Sequence, residues 1–548
     1  MLIRPAADDL RTIGSALGRI LLVVAAASLI PTAWAVAGRE WNPLGSFLLM
    51  GSVFVLLGVT LLRVSLAPRS TISTDQRHLD WSHGMVVVAL TWLIVPLVGS
   101  IPFVLSGHYA SILDAYFDAM SGLTTTGLAL VQDLDHLASS LNFWRHLLHF
   151  LGGQGIIIAA LLLFGGRGMV TLYRGEGRED QLLPSVRSTA RAIWAIAAIH
   201  LVVGVVALGG VAWFVLGFSW QRSLFHGLMI FFAAFDTGGF APQSTSLGYY
   251  HSAIFESVTA VLMVAGALSF AFHFRLWSGV NRAWMPATAR FKARITRRFS
   301  GTADVEEFSF DDWRPGDRRT DGTLSLFRNL ETRSILATFI ATMVFTMVGL
   351  AALGIYTSVA GLSRQGFFQV LSAHTGTGFA TVPSSELVQW TGLAFGGMAI
   401  AMALGGMASS TAGGVKALRV GLTVRAIANE VKGDLLPEGA LVGTGYYQFG
   451  RRRLTPEVAR SAMVVSLLFV ALFLVGTGVA IGYGVPLGEA LFESVSAGAS
   501  VGLSVGVTSP TMPVLLKLTY IVQMYLGRLE FVAVFALIGF AYSMVRGR

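Results

Sequence analysis

A short glycine-rich stretch recurs four times in this chain, each time among residues that are almost uncharged. Each copy ends in a glycine followed by a large apolar residue, with a small residue six positions earlier and a large apolar one ten positions earlier. Agreement at several offsets in four places indicates an internal repeat, because chance would produce only isolated matches. The copies are LTTTGL (Leu123–Leu128), FDTGGF (Phe235–Phe240), HTGTGFA (His374–Ala380) and GASVGL (Gly498–Leu503).

Each copy has the same neighbours along the chain. A long apolar run comes first, then a shorter apolar run, the glycine motif, a more polar loop and a second long run. About 20 residues are needed to cross a bilayer as a helix, so the long runs can span it and the short ones cannot. We predict first spans near 83–107, 192–218, 334–360 and 461–484, short helices near 111–124, 223–236, 364–375 and 487–499, and second spans near 141–166, 252–276, 388–417 and 512–545.

The composition also indicates a membrane protein. Of the 548 residues, 54% are hydrophobic and 13% are charged, and two further apolar runs, Ile20–Gly38 and Pro43–Leu62, precede the repeats. No small-residue cleavage pattern follows the first of these runs, so we predict a retained helix and not a signal peptide. The chain has no cysteine, which excludes disulfides and thiolate metal sites.

The net charge of +9 could suggest nucleic acid as a partner, but the basic residues lie in loops between the apolar runs. Lysine and arginine are typical of the cytoplasmic loops of membrane proteins, so we expect no nucleic-acid partner and place these loops in the cytoplasm. Both termini then lie in the cytoplasm, and the number of crossings is even. The basic, amphipathic segment Ala287–Phe299 could contact anionic lipid or a regulatory partner.

A short helix followed by a return loop inside the membrane is a re-entrant segment. Lipid cannot satisfy the backbone groups of such a loop, so protein or a water-filled cavity must surround it. Four such loops around one axis would line a pore, and their carbonyl groups could replace the hydration shell of a cation. Glycine suits this site because it adopts unusual backbone angles and brings no side chain into the lumen. The alternative is that the glycines only let helices pack closely.

These features predict an all-α integral membrane protein with ten spans. Two N-terminal transmembrane helices come before four repeats of first span (M1), pore loop and second span (M2), arranged around a pseudo-fourfold pore. The predicted units are 1–80 (the N-terminal helix pair), 81–185 (repeat 1), 186–325 (repeat 2, with a basic cytoplasmic loop), 326–440 (repeat 3, with a broken second span) and 441–548 (repeat 4).

The chain resembles the Trk/Ktr/HKT superfamily of potassium transporters, most closely its TrkH/KtrB type. The four motifs carry this resemblance over residues 83–548, together with GGMASSTAGGVK (Gly405–Lys416) and MYLGRLE (Met524–Glu530). The resemblance implies uptake of K⁺ through a gated, channel-like pore in the cytoplasmic (inner) membrane, in contact with membrane lipid and without an organic cofactor. It also implies a homodimer, docked on a cytoplasmic nucleotide-binding regulatory ring of the TrkA/KtrA type.

The resemblance places a potassium filter at the four motifs. Asp236 stands where such proteins often carry a neutral residue, and its carboxylate could tighten cation binding, be protonated or be turned away. The fourth motif has little side-chain polarity, which coordination by the backbone would tolerate. The implied filter residues are Thr124, Thr125, Thr126, Gly127, Asp236, Thr237, Gly238, Gly239, Thr375, Gly376, Thr377, Gly378, Ala499, Ser500, Val501 and Gly502.

The resemblance also implies a gate beneath the filter in the second span of repeat 3, with Arg528 projecting into the pore near it. The residues agree, because so many glycines disfavour an uninterrupted helix, although a kinked helix is an alternative. A charge inside an apolar run is a functional candidate. The alternative is an ion pair between Arg528 and Glu530. It is weaker because residues two apart lie on different faces of a helix. The implied gate residues are Gly405, Gly406, Ser409, Ser410, Thr411, Gly413, Gly414 and Arg528.

Three functions compete. The leading one is channel-like potassium uptake, and the second is a sodium- or proton-coupled symporter on the same scaffold. Some relatives with serine in place of a filter glycine pass sodium, so the four glycines here favour potassium. The third, a membrane enzyme, would need a cluster of nucleophile, base or metal ligands that the spans lack. Since the chain has no GxxxxGK[ST] motif, nucleotide control would come from a partner.

Overall fold

The computed structural model describes residues 5, 7–65, 81–155, 186–284, 324–437 and 443–547. These residues are mostly helical, as predicted, with one short antiparallel hairpin. The elements are α1 (Ala7–Ala37), α2 (Trp41–Ser65), α3 (Trp81–Gly99), α4 (Ile101–Val104), α5 (Ile112–Leu123), α6 (Ser139–Gln154), α7 (Val186–Phe214), α8 (Trp220–Phe235), a 3₁₀ turn (Ser246–Tyr250), α9 (Ala253–Ala267), α10 (Phe270–Trp284), α11 (Leu324–Arg328), α12 (Leu330–Leu353), α13 (Val359–His374), α14 (Ser384–Leu387), α15 (Gly392–Ala403), α16 (Ala417–Leu435), β1 (Gly445–Tyr447), β2 (Arg451–Arg453), α17 (Pro456–Gly482), α18 (Leu487–Gly498), α19 (Val514–Arg528) and α20 (Val532–Arg546).

Six helical segments within the described ranges are long and apolar enough to cross a bilayer. They are α1, α2, α3 together with α4, α7, α12 and α17. Two helix pairs, α9 with α10 and α19 with α20, pass the same test only together, so up to eight spans are present. The chain is thus a multi-pass membrane protein. The number of ten stays a prediction, because α15 is short and the predicted span near 141–166 extends beyond the described residues, where Ala287–Phe299 also lies.

The second spans of repeats 2 and 4 are bent, whereas the sequence predicts a break only in repeat 3. The axes of α9 and α10 differ by 103°, and those of α19 and α20 by 108°. At the second bend Glu530 and Phe531 have φ of 51° and 71°. A left-handed backbone costs a residue with a side chain about 1–2 kcal/mol, so packing must hold this bend. Neither bend contains a proline. The sequence therefore shows a continuous apolar run at each bend and predicts a straight span.

The carboxylate of Glu40 connects the N-terminal helix pair to the start of α6. Glu40, between α1 and α2, accepts hydrogen bonds from the backbone N–H groups of Ser139 and Ser140, each at 3.0 Å, and from both serine hydroxyls. These N–H groups open α6 and have no partner within the helix. A carboxylate at this end also interacts favourably with the helix dipole. The pair is therefore joined to α6 by polar contacts as well as by apolar packing.

We predict that Glu40→Ala lowers the thermal unfolding midpoint of the detergent-solubilised protein. The change leaves the hydrogen-bond donors at the start of α6 without their acceptor, which costs about 1–3 kcal/mol when such groups are buried. Glu430→Ala is a matched control, because Glu430 is an exposed acidic residue on α16. Equal midpoints for the two variants would contradict the proposed role of Glu40.

Candidate ion-binding ring and the 405–414 loop

The short helices α5, α8, α13 and α18 all end immediately before a glycine motif. Serine caps three of them, because the side chains of Ser111, Ser219 and Ser358 accept the N–H three residues later. The four residues after each short helix, ending in the motif glycine, are called here motif positions one to four. One further hydrogen bond recurs in all four repeats, from the N–H of position three to the carbonyl five residues earlier. These bonds are Thr126 to Ser121 at 2.9 Å, Gly238 to Ala233 at 2.8 Å, Thr377 to Ser372 at 2.9 Å and Val501 to Ser496 at 2.9 Å.

Each motif has a left-handed backbone at its second and fourth positions. Glycine adopts this conformation without steric cost. Threonine or serine does so only under strain, and strained backbone is typical of functional sites. The φ angles are 54° at Thr125 and 92° at Gly127, 50° at Thr237 and 72° at Gly239, 72° at Gly376 and 84° at Gly378, and 55° at Ser500 and 92° at Gly502.

The fourth-position glycines close the four motifs into one ring. A Cβ atom placed on each glycine would overlap the third-position carbonyl oxygen of the next motif, and the fourth motif returns to the first. A side chain therefore fits none of these positions unless the backbone moves. The distances from the added Cβ to the oxygen are 2.3 Å for Gly127 to Gly238, 2.1 Å for Gly239 to Thr377, 1.7 Å for Gly378 to Val501 and 2.1 Å for Gly502 to Thr126.

In the first and third motifs, the threonine side chains at positions one and three bond within their own segment. Thr124 Oγ1 lies 2.8 Å from the carbonyl oxygen of Met120 and 2.8 Å from Thr126 Oγ1. In the third motif, Thr375 Oγ1 makes the same contacts with Leu371 at 2.8 Å and with Thr377 at 2.9 Å. The fourth motif has alanine and valine at these positions, yet its backbone takes the same course. The shared feature of the ring is therefore its backbone.

Asp236 is turned toward α6. Its Oδ1 accepts a hydrogen bond from Gln154 Nε2 at 2.6 Å, and its carboxyl group packs against the backbone of Gly153. The residue is fully buried. One carboxylate oxygen is therefore bonded to the end of α6. Gln154 carries no motif signal in the sequence and was missed.

Glycines of the second helices allow these helices to touch the ends of the short helices. A Cβ on Gly152 would lie 1.8 Å from the carbonyl oxygen of Leu123. The corresponding distances are 2.1 Å for Gly266 to Phe235 and 1.9 Å for Gly527 to Gly498. In repeat 3, Gly413 of the second span contacts repeat 4 instead, with its Cβ position 2.2 Å from the carbonyl oxygen of Ala499, the first residue after α18.

The predicted gate residues form a folded loop, residues 405–414, between α15 and α16. Its ends pair, because Gly405 N–H donates to the Val415 carbonyl at 2.9 Å and Val415 N–H donates to that of Ala403 at 3.0 Å. Gly405 and Gly413 are in close contact, since a Cβ on Gly405 would lie 1.9 Å from the Gly413 oxygen. The helix is therefore interrupted, and the kinked-helix alternative is wrong. The remaining loop residues include Gly406, Ser409, Ser410 and Gly414, of which Ser409 and Gly414 have φ of 56° and 68°.

The 405–414 loop is bound to repeat 2 and lies beside the first motif positions. The hydroxyl of Thr411 lies within hydrogen-bonding distance of two carbonyl oxygens. Its Oγ1 is 3.0 Å from the oxygen of Phe235 and 2.9 Å from that of Gly266. Met407 N–H donates to the Ala267 carbonyl at 2.9 Å, and Ala408 N–H donates to the Glu331 carboxylate. These contacts connect the loop to the end of α8 and to the bend after α9. Glu331, at the start of α12, had no signal in the sequence.

Arg528 joins the loop to α6. Its guanidinium donates to the carbonyl oxygens of Thr411 at 2.5 Å and Gly152 at 2.8 Å, and lies 5.6 Å from the ring centre of Trp92. Arg528 ends α19 at the bend and does not lie within a continuous span as predicted. Glu530 forms an ion pair with Arg419 of α16.

A cavity of about 30 Å³ lies next to this arginine. That is room for one or two water molecules. It borders the ring-facing part of the loop at Gly413 and the second-helix glycine Gly527, so Arg528 occupies the space beside the motifs. The lining residues are Trp92, Ser409, Ser410, Ala412, Gly413, Lys416, Gly527, Arg528, Leu529 and Glu530.

Comparison with known proteins identifies the family and the fold. The TrkH family, described as cation transport protein, matches residues 50–299 and 318–541. An uncharacterized cation transporter of Methanocaldococcus jannaschii is 27% identical over 97% of this chain and 96% of its own length. The Trk system potassium uptake protein TrkH of Escherichia coli K12 is 26% identical over 74% of this chain and 75% of its own.

A solved structure also matches. The crystal structure of the potassium transporter TrkH from Vibrio parahaemolyticus superposes with a TM-score of 0.74, over 96% of this chain and 98% of that one, at 22% identity. This likeness shows a shared fold. The family description also confirms the expectation of a transporter and not an enzyme. Since the family matches most of its length, this chain belongs to the TrkH family of cation transport proteins.

Proposed function

We propose that this protein takes up K⁺ across the cytoplasmic membrane through a gated, channel-like pore whose filter is the ring of four motifs. The closed set of contacts between the motif glycines and the neighbouring carbonyls carries the proposal. Relatives named as potassium uptake proteins support the choice of ion. Both termini and the basic loops face the cytoplasm in this proposal.

The ring is suited to a dehydrated cation by its backbone. Carbonyl oxygens are the ligands that replace the water shell of K⁺ in selective pores. The C-termini of α5, α8, α13 and α18 all meet the ring, and their partial negative charge also favours a cation. The threonine hydroxyls at Thr124 and Thr375 and the Asp236 carboxylate bond elsewhere. The proposed ligands are therefore main-chain atoms.

The 405–414 loop and Arg528 form the proposed gate. Thr411 of the loop bonds to the carbonyl oxygens of Phe235 and Gly266. Arg528 donates a hydrogen bond to the carbonyl oxygen of Thr411. A guanidinium beside the path repels a passing cation by about 4 kcal/mol at 4 Å in an effective dielectric of 20. Opening would require the loop to exchange these bonds and Arg528 to move away.

Control of this gate from the cytoplasm completes the proposal. We propose a homodimer with one pore per subunit, docked on a nucleotide-binding ring of the TrkA/KtrA type. The contact of Glu331 with the loop supports such control, because α12 follows directly on the region between repeats 2 and 3. Membrane lipid surrounds the spans, and nucleic acid has no place in this function.

The function is tested by K⁺ uptake in cells that lack their own potassium transporters, at low external K⁺, with the partner co-expressed. Uptake driven by membrane potential alone supports the channel-like pore. A coupled symporter on the same scaffold is the alternative, and it would require a gradient of Na⁺ or H⁺ for K⁺ uptake. Absence of K⁺ uptake by a properly expressed protein would overturn the ion assignment.

We predict that Gly378→Ser lowers the ratio of K⁺ to Na⁺ permeability at least about tenfold, equivalent to 1.4 kcal/mol. The new side chain would begin 1.7 Å from the Val501 carbonyl oxygen and displace it. Gly396→Ser is the matched control, because a Cβ on Gly396 meets no atom within 4 Å. An unchanged ratio in a folded Gly378→Ser protein would place the third motif outside the filter.

We predict that Arg528→Gln raises K⁺ flux severalfold when the partner is absent. Glutamine keeps a hydrogen-bond donor for the Thr411 carbonyl and removes the charge from the cation path. Arg528→Lys keeps the charge and should raise flux less. If the two variants conduct equally, charge repulsion by Arg528 is not part of the gate.

We predict that Thr411→Val also raises flux without the partner. Valine has nearly the same shape but cannot donate to the carbonyls of Phe235 and Gly266, so the closed position of the loop is weakened. Thr519→Val is the control, since Thr519 bonds only to its own helix on an exposed face of α19. Flux of Thr411→Val equal to that of the control would show that this contact does not hold the gate.

A further inference from the structure

Three of the four short helices carry a polar side chain at the same place behind the ring. Nine positions before the motif glycine stand Asp118 in repeat 1, Gln369 in repeat 3 and Glu493 in repeat 4, and each is fully buried. Buried polar groups need hydrogen-bond partners. These three residues, called here the anchoring side chains, each find one partner in the segment that follows the motif, and Asp118 also accepts from Tyr109 at 2.9 Å and from Arg145 at 3.2 Å.

The main-chain partner is the same in all three repeats. Each anchoring side chain accepts a hydrogen bond from the backbone N–H three residues after the motif glycine. The donor–acceptor distances are 2.6 Å for Leu130 to Asp118, 3.1 Å for Thr381 to Gln369 and 2.9 Å for Val505 to Glu493. Each bond therefore joins the short helix before the motif to the segment after it, called here the exit segment.

Repeat 2 has neither the donor nor the acceptor of this hydrogen bond. Three residues after its motif glycine stands Pro242, which has no N–H to donate. Nine residues before the glycine stands Ile230, which is apolar and fully buried. The acceptor is thus absent where the donor is absent. This joint change indicates that the polar residues at this offset are there to satisfy the N–H group of the exit segment.

The number of hydrogen bonds between the anchoring side chain and its exit segment differs between repeats. Glu493 also accepts from the hydroxyl of Thr508 at 2.7 Å and the N–H of Val507 at 3.2 Å, and from Ser504. Of the three motifs with an anchoring side chain, its motif is the one that lacks the threonine hydroxyl pair found in the first and third motifs. Among these three motifs, the anchoring side chain with the most hydrogen bonds to its exit segment therefore supports the motif without the hydroxyl pair.

We propose that Asp118, Gln369 and Glu493 are positioning residues that set the spacing of the ring carbonyls from behind. This inference rests on the proposed filter. The exit segment begins at the motif glycine, so fixing it limits how far the glycine and the carbonyl it touches can move. A narrower range of carbonyl positions separates K⁺ from the smaller Na⁺ more sharply, if the ring acts as a cavity of defined size.

The test uses leucine at two anchoring positions and at one matched position. Gln369→Leu and Glu493→Leu remove the acceptor while keeping comparable volume, and Ile230→Leu changes the same offset in the repeat that has no such bond. Gln369→Glu restores an acceptor and serves as the rescue variant. Two quantities are measured on each full-length, folded protein: the K⁺ to Na⁺ permeability ratio, and the rate of amide hydrogen exchange in the segments that contain Thr381 and Val505.

We expect Gln369→Leu and Glu493→Leu to lower the permeability ratio about threefold to tenfold and to speed exchange in their own exit segments. Gln369→Glu should stay within about twofold of the wild type, and so should Ile230→Leu. Faster exchange with an unchanged ratio would overturn the positioning role. Unchanged exchange would show that the bonds do not hold the segments.

Failure of the wild type to carry K⁺ would overturn the proposed function, and with it the positioning role. Hydrogen exchange would then still decide whether the anchoring bonds exist, since that measurement does not depend on transport. The two failures are therefore distinguishable.

Discussion

The structure depends on the contact between each motif glycine and a carbonyl oxygen of the next motif. Backbone that leaves a helix inside a membrane exposes polar groups that lipid cannot satisfy. Here four such segments meet one another and close into a ring, and each short helix reaches that ring with the same terminal hydrogen bond. The close approach is possible only without side chains, which explains the glycine at the fourth position of every motif.

The rest of the site is arranged around this ring. Glycines of α6, α9 and α19 bring the second helices against the ends of the short helices. The 405–414 loop and Arg528 fill the space next to the first motif positions, and both bind main-chain oxygens there. Such bonds can be exchanged for others without breaking apolar packing. In the proposed function, the ring selects the ion and the 405–414 loop controls its flow.

The sequence predicts the ring better than it predicts the surrounding helices. The short helices end where the motifs begin, because glycine and threonine patterns mark a change in backbone conformation that is local. The bends after Ala267 and Arg528 were not predicted, since an apolar run without proline is compatible with a straight span. The partners of Asp236 and Arg528 could not be predicted either, because Gln154 and Thr411 lie far away in the chain. The number of spans, the dimer and the regulatory ring remain predictions.

The central claim, that the four motifs bind a dehydrated cation with main-chain oxygens, is tested most directly by anomalous diffraction. Crystals grown with Rb⁺ or Tl⁺ in place of K⁺ would show the ion positions. We predict an anomalous peak on the axis of the ring, enclosed by the third-position carbonyls of Thr126, Gly238, Thr377 and Val501. An intact ring without a peak there, in crystals that bind the ion elsewhere, would contradict the account.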